Sequence, residues 1–416
     1  MVTGCHEVHI QIERPSTGNP AEGEGLSGIV HQSFTDVTED LSNHPGDTGW
    51  DVEEAAFTDG RTGALDVGAL LDSAEEGDVG GVGSNGPPPG GPFAYITNNL
   101  GNSVHVIDTS NHSVVAEIEV NDGPRGVAIH PRGHRVYVGN YGAGPDGETG
   151  SGTTVSVIDT HTNTVIDQIE EIPGPEGLEI HPDGSRLYVT APGPHILPPD
   201  GANDNVVVID TESHEIISRI EVGDHPWGLE FNQEGSLLYV GNSHSESISK
   251  IDTQQNVVIQ TVLVGDDGDA SSGEDYHISM LRLDPLDEGR LYVVLMHLDL
   301  VAVIDSETLN LVESFDVWFH PHSMAFTPHG EKIFIPALFS ELLWVIDPLN
   351  NNEVEMTVSV PAESRGVSVT PDGQWVYVVN GSSNSVSVFE VATNEFHLSI
   401  DVGRYPYGFG DFIYWP

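Results

Sequence analysis

A single cysteine, Cys5, in 416 residues rules out an internal disulfide, a CxxCH haem attachment and a thiolate zinc cluster. Lysine is nearly as scarce, with only Lys250 and Lys332 present. In all, 13 Lys+Arg stand against 65 Asp+Glu, a formal charge of −52. So few cations cannot build a basic patch, which excludes ordinary nucleic-acid binding. No apolar run approaches the roughly 18 residues of a membrane span, so no transmembrane segment is expected. No charged and then apolar leader opens the chain as written. A nucleophile elbow, a Gly-rich phosphate loop and a zincin helix are also missing.

What is present is acid, spread along the whole chain instead of gathered in one tail. Such a surface repels itself in dilute buffer, but at molar salt the Debye length is about 3 Å and the repulsion is screened. The composition resembles that of proteins from extreme halophiles, the haloarchaeal type. Val2-Thr3-Gly4-Cys5 looks like a lipoprotein lipobox. It implies lipidation of Cys5 and a cell-surface or extracellular location if translation starts upstream of Met1; otherwise the chain is expected in the cytoplasm. That reading requires an in-frame twin-arginine and apolar segment ahead of Met1. Nothing in the sequence asks for a second copy, so a monomer is expected.

The chain divides near residue 92. Residues 1–92 carry 17 acidic and 2 basic residues and end in the Gly/Pro run Gly80 to Pro92, which is linker composition. Val8, Ile10 and Ile12 alternate and could form one short strand. The rest has too little apolar surface to offset chain entropy, so mostly disorder is expected up to Pro92.

From Phe93 the sequence repeats. Tyr95-Ile96-Thr97-Asn98 recurs as Tyr137-Val138-Gly139-Asn140, Tyr188-Val189-Thr190-Ala191, Tyr239-Val240-Gly241-Asn242, Tyr292-Val293, Phe334-Ile335 and Tyr377-Val378-Val379-Asn380. A second run places an acid at Asp108, Asp159, Asp210, Asp252, Asp305, Asp347 and Glu390. The Tyr-to-acid interval is 13 in five units and 22 in two, and the interval from acid to next Tyr is 29, 29, 29, 40, 29 and 30. Regular spacing broken by whole insertions marks stacked repeats. Period-two apolar alternation and turns such as His181-Pro182-Asp183-Gly184 give four short strands per unit. Seven four-stranded units specify an all-β, seven-bladed β-propeller over residues 93–416. The repeats resemble the YVTN-repeat propeller family, with the Asn missing from the units around Tyr292 and Phe334. The region opens on the second strand of a unit and ends with Pro406-Tyr407-Gly408, the start of a first strand. The C-terminus is therefore expected to supply the innermost strand of the first blade and close the ring.

In such a ring the starts of the first strands and the turns between second and third strands share one face, here the top. The insertions at Tyr141–Gly152, Pro192–Asp204 and Asp266–Tyr276 all fall on it. The residue between Pro and Gly of each first strand should ring the central mouth: Tyr407, Arg125, Glu176, Trp227, a position at His277 or Ser279, His322 and Arg365. Their types vary while the framework around them repeats, which marks them as ligand-binding. Arg125 and Arg365 flank Tyr407, with Arg404 nearby, and suit a carboxylate or phosphate; pairing with Glu363 or Asp401 is the structural alternative. Opposite lie His225, His277, His320 and His322, with His195, His244 and His297 in neighbouring loops. Converging imidazoles would suit a transition metal; solvated loop histidines are the plain reading. The repeated Asp and Asn are read as turn-forming.

The expected function is a surface-exposed or exported halophilic propeller that binds a small molecule, glycan or protein on its top face without catalysis. His181 to Val189 is similar to repeats of seven-bladed lactonases, which implies a hydrolase as the rival. A His-ligated metal oxidoreductase of copper type is the third reading.

Overall fold

The computed structural model describes residues 8–10, 92–142, 152–193, 204–264 and 277–414. Apart from Val8–Ile10, residues 1–91 lie outside the described residues, as does Cys5, so the expected disorder and lipidation fall there too. Among the described residues the chain forms seven four-stranded antiparallel sheets, one of them extended by a parallel fifth strand, and no α-helix.

Each sheet has strands A to D running outward from the ring axis. Blade 2 is Pro124–Ile129, Arg135–Asn140, Thr154–Asp159 and Thr164–Ile169. Blade 3 is Leu178–Ile180, Arg186–Ala191, Asn205–Asp210 and Ile216–Glu221. Blade 4 is Pro226–Phe231, Leu237–Asn242, Ser247–Asp252 and Val257–Val264. Blade 5 is Ile278–Leu283, Arg290–Leu295, Leu300–Asp305 and Leu311–Asp316. Blade 6 is Ala325–Phe326, Ile333–Pro336, Leu342–Asp347 and Glu353–Ser359. Blade 7 is Ser364–Val369, Trp375–Asn380, Ser385–Glu390 and Phe396–Asp401.

Blade 1 is composite. Its strands B to D are Phe93–Asn98, Ser103–Asp108 and Ser113–Glu119, and its strand A is the tail segment Ile413–Tyr414, paired as Phe93↔Tyr414 and Ala94↔Ile413. The predicted closure is thus present. The seam is longer than that pairing: the Tyr95 amide donates to the Phe412 carbonyl at 2.8 Å and the Tyr407 amide to the Thr97 carbonyl at 2.9 Å. Phe412 is fully buried in the core shared by blades 1, 2 and 7. The expected N-terminal strand also exists, as Val8–Ile10, parallel to Val262–Val264 at the outer edge of blade 4.

The repeating residues are the ones that hold blades together. Strand B is sandwiched between neighbours and buried almost throughout, whereas strand D alternates toward solvent. The strand-B tyrosine of one blade reaches a turn of the next. Tyr239 Oη donates to the Ser306 carbonyl at 3.0 Å, Tyr292 Oη to Asn352 Oδ1 at 3.0 Å, and Tyr377 Oη bonds His112 across the seam at 2.6 Å. Blade 6 has Phe334 there and makes no such bond. Asp159, Asp210 and Asp252 accept turn amides at 2.8–3.1 Å, and Asn140, Asn242 and Asn380 donate to strand-C hydroxyls, so both repeated residues are structural, as read.

Candidate functional site

Strand A is irregular where it matters. Its register with strand B shifts between Pro124 and Val127, Pro226 and Leu229, Ile278 and Met280, and Ser364 and Gly366. Each shift is a bulge, which re-aims a side chain toward the axis. The glycine after the re-aimed residue allows adjacent blades to meet: a Cβ on Gly126 would collide with the Glu176 carbonyl, and one on Gly177 with that of Trp227. Pro-x-Gly in blades 1 to 4 and its variants Ile278-Ser279-Met280, Pro321-His322-Ser323 and Ser364-Arg365-Gly366 in blades 5 to 7 therefore form a tight ring of seven side chains: Tyr407, Arg125, Glu176, Trp227, Ser279, His322 and Arg365.

The fifth member corrects one expectation. Ile278 pairs with Leu295 as Pro226 pairs with Asn242, so Ser279 is the rim residue and His277 stands two places earlier. His277 instead matches His225 and His320, each one residue ahead of the pairing position. All seven residues of that outer series have left-handed backbones: Gly123, Gly174, His225, His277, His320, Glu363 and Tyr405, with φ between 37° and 63°. Five of them are not glycine, a conformation that costs roughly 1 kcal/mol or more each.

The rim has a cationic sector. Arg125 bonds Glu176 at 2.6 Å and lies 3.7 Å from the Tyr141 ring centroid and 5.1 Å from that of Tyr407. Arg365 lies 5.2 Å from the Tyr407 and Tyr405 rings and donates to Tyr405 Oη at 2.7 Å. The two arginines flank Tyr407 as expected, but the anticipated pairing with Glu363 or Asp401 does not occur. Glu176 neutralises Arg125, whereas Arg365 has no carboxylate partner among the described residues. Arg404 is exposed and makes no ion pair among them. Burial raises the Glu176 pKa, and Arg125 offsets only part of that rise.

His322 is fully buried. Its Nδ1 donates to the Arg365 carbonyl at 2.8 Å, which fixes Nε2 as the bare acceptor. Burial first, then the Arg365 cation, push its pKa down to about 3, so it is neutral at any working pH. Trp227 meets His322 edge-on at 5.4 Å and stacks on Phe409 at 5.8 Å, forming an aromatic wall on the rim.

Glu176 Oε2 faces His225 Nε2 at 3.7 Å, and five of the seven rim side chains carry a buried polar atom with no hydrogen-bond partner among the described residues: Arg125 Nε, Trp227 Nε1, Ser279 Oγ, His322 Nε2 and Arg365 Nε. Buried polar groups are overwhelmingly satisfied by protein, water or ligand.

The other histidines stand in file along the same face. Ring centroids are 4.4 Å apart from His225 to His244, 5.4 Å to His277, 4.3 Å to His297 and 5.3 Å to His320. Three come from the outer series and two from the B-to-C turns, so the file is the repeat seen edgewise. Of the expected metal set, His225, His277 and His320 stand in this file, and His322 lies outside it. No three His, Cys, Asp or Glu among the described residues are placed to hold one metal ion. His195 and most of each insertion lie outside the described residues; the insertion ends at Gly142, Gly193 and His277 are on the top face.

Sequence reading missed Tyr141, Tyr405 and Phe409, which line the arginines and Trp227. Their signal was adjacency, since each lies within two residues of a rim or turn position.

No family model matches the chain. It is 22% identical over 249 residues to the uncharacterized protein YncE of Salmonella typhi, covering 58% of this chain and 64% of that one. It is 27% identical over 346 residues to the uncharacterized protein YwhL of Bacillus subtilis, covering 77% and 65%. A third relative, the seven-bladed beta-propeller protein Rv1057 of Mycobacterium tuberculosis, is 28% identical over 151 residues, covering 36% and 34%. The chain spans less than two thirds of the length of these relatives. The chain is a seven-bladed β-propeller with distant propeller relatives. Among solved structures it is similar to Kuenenia stuttgartiensis hydrazine synthase (TM-score 0.58, 21% identity, 77% of this chain and 99% of that one). It is also similar to a functionally unknown protein from Desulfotomaculum acetoxidans (TM-score 0.60, 12% identity, 76% and 99%). These likenesses concern the fold alone.

Proposed function

We propose that this propeller is a binding protein whose top mouth takes a small molecule bearing a carboxylate or phosphate, at high salt and without chemical turnover. The observation that carries the reading is the ring of partnerless buried polar atoms around Arg365, a cation with no carboxylate partner. A planar guanidinium beside two tyrosines suits bidentate recognition of an oxyanion. The lactonase-like reading needs a base to activate water, and an imidazole held to a pKa of about 3 is a weak one. The metal reading lacks a three-ligand cluster among the described residues.

Calorimetric titration at molar salt with a panel of hydroxy acids and sugar phosphates tests the proposal. At least one should bind, and Arg365→Ala should weaken it about 10- to 100-fold, the worth of a charge-assisted pair. Unchanged affinity in that variant, or no anion bound, would overturn the reading.

A further inference from the structure

The partnerless rim atoms are not all donors. Arg125 Nε, Arg365 Nε and Trp227 Nε1 donate, but His322 Nε2 accepts, and Ser279 Oγ does either. A bare phosphate or simple carboxylate would use the donors and leave the acceptor alone. A ligand that serves both carries hydroxyl groups as well as an anionic group.

A second feature extends outward from that mouth. Trp318, Phe319 and Phe339 are 48%, 50% and 56% exposed, and they are three of the four exposed Trp and Phe side chains among the described residues; the fourth, Phe396, lies on an outer strand. The three share the top of blade 6. The Phe339 amide donates to the Phe319 carbonyl at 3.3 Å, and Trp344 Nε1 donates to the Trp318 carbonyl at 3.2 Å, which pins the segment. Phe319 and His320 both adopt left-handed φ, 73° and 58°, so consecutive strained residues hold this shape. The ledge adjoins the rim: the Phe339 ring is 4.7 Å from that of His320, and His320 is two residues, at most about 7 Å of chain, from His322. Exposed aromatic rings next to a hydroxyl-accepting mouth match a sugar chain, whose C–H faces pack on rings while its hydroxyls need donors and acceptors.

We infer that the ligand is an acidic oligosaccharide: its terminal sugar acid sits in the mouth with the carboxylate at Arg365, and the next sugars run over His320 onto Trp318, Phe319 and Phe339. The inference rests on the mouth being an anion site.

The test titrates the full chain at molar salt with galacturonate, with trigalacturonate and with the neutral trisaccharide maltotriose. Trigalacturonate should bind at least tenfold more tightly than galacturonate, and maltotriose should not bind measurably. Trp318→Ala and Phe339→Ala should remove that gain while leaving the galacturonate affinity unchanged, and Arg365→Ala should weaken both about 10- to 100-fold. Both ledge residues are exposed, and circular dichroism checks that the variants fold. Equal affinity for the two acids, or a length gain that survives both ledge variants, would overturn the oligosaccharide and leave the anion mouth standing. So would binding of sugar phosphates but of neither uronate. Failure of every anion would overturn both. Self-association by sedimentation that disappears in Phe339→Ala would make the ledge a contact between copies and overturn the inference.

Discussion

His322 is a side chain whose chemistry the fold changes strongly. Because its folded pKa lies far below the ordinary 6.5, the unfolded chain takes up a proton there that the folded chain refuses. Its contribution to stability is complete above about pH 6.5 and declines as the pH falls toward about 3. Replacing it with glutamine, which can still donate to the Arg365 carbonyl, should flatten the pH dependence of unfolding. Between pH 6.5 and 5 the slope should fall by up to about 1.4 kcal/mol per pH unit, read from denaturant melts. An unchanged slope would mean that the imbalance arises elsewhere, for instance at His105 or His130, whose pKa values burial also lowers. The Arg125–Glu176 pair shows what sequence alone conceals at this scale. The two stand 51 residues apart, yet adjacent rim places bring them into contact. The rim order derived from the repeats already put them side by side; what it lacked was the side-chain reach that made Glu176 a better partner than Glu363 or Asp401.

At the scale of elements, the tail is the decisive strand. Only two of its residues pair in strict register with blade 1, but its amides and carbonyls also engage Tyr95, Thr97 and Val127, and the Gly408 amide reaches Thr97 Oγ1 at 3.0 Å. A chain ending at Arg404 would expose the inner edge of blade 1 and leave the cavity vacated by Phe412 in the core. Such a chain should lose its cooperative thermal transition altogether; a calorimetric melt like that of the full chain would refute this role. The closure was legible because Pro406-Tyr407-Gly408 repeats a pattern seen in other blades. The start of blade 5 was not, because the interval of 40 residues, against 29 or 30 elsewhere, removes the ruler just where the strand begins. Only the pairing of Ile278 with Leu295 distinguishes Ser279 from His277.

For the molecule as a whole, the charge of −52 carries the halophilic proposal. Surface repulsion is screened by molar salt, whereas contacts such as Arg125–Glu176 are sheltered from solvent and hardly respond to it. Dialysis into dilute buffer should therefore unfold the chain, with loss of ellipticity that returns when salt is restored. Ellipticity retained without salt would remove the halophilic reading. The blade count and the top face were legible in the sequence because packing between blades repeats every 42 residues or so. The histidines of the file were legible as a group on that face, but their order and spacing were not, and the aromatic ledge was not legible at all, since Trp318, Phe319 and Phe339 look unremarkable within a single repeat.

The tail that shuts the wheel also carries Tyr407, the ring against which both mouth arginines rest. Synthesis makes this segment after every other strand of the ring, so the proposed mouth is complete only once the ring has closed. A prematurely terminated product would lack both its latch and its grip.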